Sequence, residues 1–384
     1  MQSVQSAANN DRITSRLFAV DALRGLIIIF MALDHASLFI AHKHSPGEYW
    51  GAKLPIYQDV LSFLTRFITH LSAPGFFFLM GVGMLLFANA RQERGWSKWA
   101  VIRHFLIRGL ILIALQLLVV NRAWELSGGV WPNIYIGVLF ALGSTMILSS
   151  LLLWLKPVYL LLIAAALFIG TEFLVPAPGL WGAIQFSNLS DYANLILVFP
   201  GGNTVLWSNY PVLPWLELVV FGVLFGHWIK KDQQQAYSGA LKIGFGFLLT
   251  FVVIRYLDGF GNIQPRIGNT WIDFLNLVKY PPSIAFTLLT MGLNLILLGL
   301  FSRANEKIQS FFFPLVVYGR APLFFYVIHL FLYAGLGLWL VPKGTSLLSM
   351  YPYWLLGLLI LLPVCLLYDR LKQQPQANRL LRYF

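Results

Sequence analysis

The chain has 384 residues, 58% of them hydrophobic and 11% charged, with a mean hydropathy of +0.71. A soluble protein of this length needs far more surface charge, and the apolar runs are too long and continuous for the alternating strands of a membrane barrel, so the chain reads as an all-α, polytopic integral membrane protein without a soluble domain. Its net charge of +12 is spread over short segments between apolar runs, which argues against a nucleic-acid partner and for the lipid bilayer; the single cysteine, Cys365, excludes an intrachain disulfide.

Residues 1–15 form a polar tail expected in the cytoplasm. No small-residue cleavage site follows the first apolar run, which reads as a retained span. At about 20 residues per crossing, ten spans are expected near 17–40, 61–89, 101–120, 134–155, 158–175, 212–229, 240–257, 284–301, 320–341 and 352–369. Only Lys156-Pro157 separates the fourth from the fifth, and residues 311–318 suit a short interfacial helix. The transmembrane unit is then 16–370, followed by a basic tail, 371–384. Arg12 and Arg16, the connection holding Arg91, Arg94, Lys98 and Arg103, then Lys230, Lys231 and Lys242, then Arg303 and Lys307, and the tail with Arg370, Lys372, Arg379 and Arg382 all fall on one side. That places both termini in the cytoplasm and the chain in the plasma (inner) membrane. The stretch 172–210 has no Lys or Arg, is rich in Gly, Pro and Asn, and carries Trp181, Phe186, Tyr192 and Trp207; it reads as an outward loop. There is no 20–50-residue repeat and no matching pair of interrupted helices of the transporter kind.

Ionisable residues at membrane depth are costly and mark candidate functional sites. Arg24 and His35 lie in the first span, and eleven residues at about 100° each return to nearly the same helix face, roughly 16 Å further along. Asp21, Arg24, Ile28, Met31 and His35 share that stripe, with Asp34 adjacent. They form either a polar shaft through the membrane or two separate structural pairs, Asp21–Arg24 and Asp34–His35; four ionisable groups in one span favour the shaft. The second span adds Arg66, Thr69 and His70 on one face at the depth of His35, followed by Pro74; Arg66 can equally snorkel to headgroups. Gly319-Arg320-Ala321-Pro322 opens a late span that also holds Tyr326 and His329, with Arg320 level with Asp21 and Arg24. His329 sits near mid-membrane, where a lone histidine more often packs by hydrogen bonding than catalyses. Tyr210-Pro211-Val212-Leu213-Pro214-Trp215 and Lys279-Tyr280-Pro281-Pro282-Ser283 read as helix starts, whose Tyr210, Trp215 and Tyr280 are either belt aromatics or a platform for a sugar ring. The basic connection 91–108 is either topology or a grip on phosphates. No metal-ligand pattern or nucleotide-binding loop is present; His42-Lys43-His44 reads as a solvated loop ahead of a weak metal site, and no metal is expected.

Arg16-Leu-Phe-Ala-Val-Asp21-Ala-Leu-Arg24-Gly25 and Met31-Ala-Leu-Asp34-His35 resemble the heparan-alpha-glucosaminide N-acetyltransferase catalytic-domain family. So do Phe67-Ile-Thr69-His70-Leu-Ser-Ala73-Pro74, the two proline-rich helix starts, and Gly319-Arg-Ala-Pro-Leu-Phe-Phe-Tyr326 with His329; together they span 16 to about 335. Arg24, ten residues, then His35 is also similar to the signature of the wider membrane acyltransferases that O-acylate surface polysaccharides. The resemblance implies ten or eleven helices, often a homodimer, and transfer of an acyl group, foremost acetyl, from cytoplasmic acyl-CoA to an amine or hydroxyl of a sugar or glycolipid on the far side. On that basis Arg24 and Arg320 hold the donor or gate its path, His35 is general base or transient acyl carrier, Asp34 orients it, and Arg66 and His70 stabilise the oxyanion. Asp21, Thr69, Tyr210, Trp215, Tyr280, Ser283, Tyr326 and His329 are the further substrate-binding candidates. The animal enzymes place their catalytic histidine in the first outward loop, with Asn where this chain has His35, so His42 and His44 are alternative catalytic residues. Long family members also carry an outward N-terminal domain without a counterpart here, which leaves the acceptor open. A transporter or flippase would use the same shaft without consuming acyl-CoA, and a non-catalytic scaffold would leave the buried charge unexplained.

Overall fold

A computed structural model describes residues 2–43, 47–128 and 131–374. In chain order the helices are α1 (Gln2–Phe39), α2 (Val60–Thr69), α3 (Ser72–Gln92), α4 (Lys98–Leu115), which runs through a π turn at Gln116–Val120 into α5 (Asn121–Glu125), α6 (Val138–Leu152), α7 (Pro157–Leu174) and α8 (Leu189–Leu197). They continue with α9 (Val212–Lys231), α10 (Gln233–Leu257), α11 (Trp271–Leu275), α12 (Ile284–Phe301), α13 (Glu306–Phe311), α14 (Phe313–Arg320), α15 (Pro322–Leu340) and α16 (Leu347–Gln373). Three short strands, β1 (Ile134–Ile136), β2 (Gly201–Gly202) and β3 (Leu206–Ser208), form a sheet in the order β1-β3-β2, with β1 parallel and β2 antiparallel to β3.

Among the described residues, nine helical stretches are long and apolar enough to cross a bilayer, and α6 is a shorter apolar helix of 15 residues. These are the ten expected spans, with local differences. Residues 134–136 leave the fourth span to become a strand, because Gly137 ends the helix on its N-terminal side. Lys156-Pro157 is a true boundary: Pro157 starts α7, where a missing N–H costs nothing. The second span is broken between α2 and α3, and Pro74 takes its place in the first turn of α3, the position a proline tolerates. The expected interfacial helix is α14, but its segment Leu315–Gly319 is buried and packs along α1 instead of lying flat. The ninth span therefore starts at Pro322, set off from α14 by a break at Ala321.

α1 is the hub, packed against α2, α3, α12, α14, α15 and α16. Two glycines set its closest approach. A Cβ on Gly25 would lie 1.8 Å from the Leu315 carbonyl oxygen, and one on Gly319 would lie 2.0 Å from that of Asp21. Helices α7, α10 and α16 keep most of their apolar surface outward, as a lipid-facing ring does. Stretch 172–210 is more than a loop. It carries α8, β2 and β3 and shares a small core of Trp50, Leu54, Leu195, Phe199 and Val278 at the end of the bundle opposite the basic connections.

Candidate functional site

At the basic end, Arg24 donates to Asp21 Oδ1 at 2.9 Å and to the Gly319 carbonyl at 3.0 Å, while Arg320 lies 3.7 Å from the other Asp21 oxygen. Asp21 thus aims both arginines, and the predicted level of Arg320 with Asp21 and Arg24 is the observed one. A cavity of about 380 Å³ begins there, walled by Arg24, Arg108, Arg320 and Lys372. It continues past Met31 and Phe76 to Asp34, His35, Tyr210 and Tyr326. Arg108 Nε is buried and has no hydrogen-bond partner among the described residues. Arg108 and Lys372 belong to α4 and α16, far apart in sequence; Arg108 ends the basic connection read as either topology or a grip on phosphates, and Lys372 carried only a topological signal.

His35, in the wall of this cavity, meets His329 behind it, with Nδ1 of His35 2.6 Å from Nε2 of His329 and the rings stacked at 4.9 Å. His329 Nδ1 lies 2.9 Å from the Phe325 carbonyl oxygen, which can only accept. His329 therefore carries its proton on Nδ1 and offers a lone pair at Nε2. His35 must then donate from Nδ1, which leaves the basic lone pair of its ring on Nε2. Trp124 stands edge-on to His35 at 5.1 Å and Tyr326 at 6.4 Å.

Beside the pair lies a buried ion cluster in which Glu48, which the sequence did not single out, joins the candidates Arg66 and His70. Arg66 donates to Asp34 and, through Nε and Nη2, to both oxygens of Glu48; His70 Nε2 is 3.0 Å from Glu48. Burial alone would raise the Glu48 pKa, but Arg66 and then His70 hold its carboxyl well below the usual range. The Glu48 carbonyl accepts from the backbone N–H groups of Lys279 and Tyr280, both at 3.0 Å, and so clips the first loop to the start of α12. Neither Arg66 nor His70 lines this cavity or the second one at the opposite end. Three of the five Arg66 N–H groups and His70 Nε2 face Asp34 and Glu48, an arrangement that positions Asp34 and this loop. Thr69 does line the first cavity and reaches Asp34 at 3.4 Å. Lys279 borders the same cavity; burial first, then Arg66, lowers its pKa to about 8.

A second cavity, of about 600 Å³, opens from the opposite end and shares Asp34, His35, Val138, Tyr210 and Tyr326 with the first. Its wall is aromatic. Asn209 accepts from Tyr49 (2.8 Å) and from the Trp207 indole (2.6 Å) and donates to Tyr135 (2.7 Å), so one amide fixes rings from three segments. Tyr210 and Tyr280 hydroxyls are 3.3 Å apart. Burial pushes the Tyr49 hydroxyl up to about 12 and raises those of Tyr135, Tyr210 and Tyr280, so all four stay protonated near neutrality. Trp215 and Ser283 lie outside both walls: the former is buried against Phe77 and Tyr210, and the latter caps α12 by accepting from Phe286 N–H. His42 is exposed, borders Gly344 and lines neither cavity; His44 lies outside the described residues. Among the described residues no group of three or more His, Cys, Asp or Glu side chains gathers as metal ligands would.

Residues 16–254 match the sequence model described as heparan-alpha-glucosaminide N-acetyltransferase, catalytic. The chain is similar to the heparan-alpha-glucosaminide N-acetyltransferase of Homo sapiens, 27% identical over 190 residues that cover 43% of this chain and 26% of that protein. It is likewise similar to that of Mus musculus, 29% identical over 139 residues that cover 36% and 19%. The matched stretches span well under half the length of those relatives.

Proposed function

This chain belongs to the heparan-alpha-glucosaminide N-acetyltransferase catalytic family, and we propose that it transfers an acyl group, acetyl foremost, across the membrane from cytoplasmic acyl-CoA to an amine or hydroxyl of a sugar or glycolipid. The observation that carries this is the pair of cavities, one basic and one aromatic, that approach from opposite ends and share the His35–Asp34 wall. The clustering of Lys and Arg at the Arg24 end supports a cytoplasmic position for that end.

The four cations at the basic end of the first cavity, Arg24, Arg108 with its unpaired Nε, Arg320 and Lys372, fit the phosphates of coenzyme A, which Arg grips in pairs and Lys as a point charge. Bound acyl-CoA supplies an activated thioester. Arg24 and Arg320, aimed by Asp21, hold its anionic part. His35 Nε2 removes the proton of the acceptor hydroxyl or amine as that atom attacks the thioester carbonyl. His329 accepts from His35 Nδ1 throughout, and so keeps that tautomer and steadies the imidazolium that forms. The Tyr326 hydroxyl at the shared wall is placed to donate to the oxyanion, and the protonated His35 returns its proton to the departing thiolate. A general base of this kind contributes roughly 10²–10⁴-fold.

The test is His35→Ala in reconstituted membranes with labelled acetyl-CoA and an acceptor panel. Transfer falls by about 10²-fold or more while protein yield and thermal stability hold. Full transfer by the variant would remove His35 from the chemistry. Movement of a sugar across the bilayer with no acyl-CoA consumed would replace transfer by transport.

A further inference from the structure

Among the described residues, Asp34 is the one acidic or basic side chain, histidine aside, in the wall of the aromatic cavity, and its carboxylate is paired with Arg66. The other polar lining is uncharged: the amides of Asn203 and Asn209, the hydroxyl of Thr204, and tyrosines held protonated by burial. Basic residues instead crowd the other cavity. Lys279 borders that first cavity, and its ammonium lies over the Tyr280 ring at 5.0 Å.

We propose that the aromatic cavity selects an acyl acceptor that is the end of a short saccharide, uncharged apart from its reacting group and free of sulfate and carboxylate; this rests on the transfer chemistry proposed above. Three features converge. Tyr49 is stacked against Trp181 at 5.5 Å and Tyr280 at 5.2 Å, and Asn209 locks Tyr49, Trp207 and Tyr135 together, so the aromatic wall that would meet a sugar ring is set in advance. Amides and hydroxyls exchange hydrogen bonds with neutral hydroxyl groups without needing a counter-charge. A sulfate or carboxylate, in contrast, would lose its water with no Arg or Lys to replace it, and buried charge needs a partner. The volume of about 600 Å³ falls within the roughly 300–1,000 Å³ of small-molecule sites, so a chain end fits and a polymer laid along its length does not.

Trp124, Trp131 and Trp207 border the cavity and report occupancy by fluorescence, independently of activity. The full chain in detergent is titrated with maltose and diacetylchitobiose as neutral probes, and with glucose 6-sulfate and glucuronic acid as anionic ones. Neutral sugars bind roughly tenfold or more tighter and are the ones acetylated in parallel assays. Asn209→Ala releases the rings and weakens maltose binding by roughly tenfold. Should that variant not fold, Thr204→Lys adds a cation to the wall and shifts preference towards glucose 6-sulfate by a similar factor. Equal or tighter binding of the anionic sugars by the unaltered protein overturns the selectivity. If sulfated and neutral sugars are acetylated alike, selectivity fails and transfer stands. If neutral sugars bind selectively while acetyl-CoA is consumed with none of them, transfer fails and the selectivity of the cavity stands.

Discussion

Glu48 is 1% exposed and bonds Arg66 twice. Removing one partner of a buried pair leaves the other charge uncompensated, at a cost of about 3–5 kcal/mol. Glu48→Gln should therefore lower thermal stability in detergent sharply, whereas Glu125→Gln, in an exposed pair with Arg122, should cost no more than about 1 kcal/mol. The pH dependence follows from the depressed Glu48 pKa. Its contribution is fully present above the ordinary carboxylate value, near 4.5, and is lost as pH falls through the lower folded value. Stability measured down to pH 3 should decline on that acid limb, and less steeply in Glu48→Gln. Lys279 acts at the other extreme. Its folded pKa of about 8 lies below the ordinary 10.5, so the unfolded chain holds more protons between the two and stability should rise with pH across that window. For His329, Ala should cut kcat by roughly 10²-fold with little change in KM, and Gln, which can still accept from His35 Nδ1, should restore part of it. A purely structural His329 would instead move stability and activity together. Arg24 and His35 were legible beforehand because helical periodicity puts them on one face. The partner of His35 was not, since it lies 294 residues away, and nothing local in the first loop marks Glu48, whose partners come from α2.

The broken helix pairs α2–α3 and α14–α15 flank α1 at the depths where its polar residues sit. Gly319 lets α14 approach α1 closely enough for Arg24 to reach the Gly319 carbonyl. In Gly319→Ala the new Cβ would meet backbone, which cannot swing aside, so the helices must separate. The expected result is a lower melting temperature, with a raised KM for acetyl-CoA in whatever folds, because both arginines lose their placement. Gly335→Ala is the control, since nothing lies within 4 Å of a Cβ there and alanine favours the helix. The helices were readable from apolar length alone, and Pro74 marked the break before α3. The three-stranded sheet was not readable: strands of two or three residues, two of them glycines, carry no periodicity, and they pair across some 70 residues. That sheet and its flanking loop bring Tyr135, Trp207 and Asn209 together, so the aromatic cavity was visible in the sequence only as scattered tyrosines and tryptophans.

Across the whole molecule, the basic and the aromatic cavity open at opposite ends, and the reaction proposed here needs the basic end to face the compartment that holds acyl-CoA. Orientation is therefore the assumption on which the direction of transfer depends, and it can be read directly. The native Cys365 is fully buried and contributes little labelling. Gln185 lies exposed at the aromatic end, between α7 and α9, and Lys307 lies exposed at the basic end, on α13. In intact cells a membrane-impermeant maleimide should label Gln185→Cys and spare Lys307→Cys; after permeabilisation it should label both. The reverse pattern would turn Arg24, Arg108, Arg320 and Lys372 away from the cytoplasm, and their cavity could then no longer draw on a cytoplasmic donor. His35 and Asp34 would keep their geometry in either orientation, which is why labelling, and not the activity of the purified protein, decides the direction.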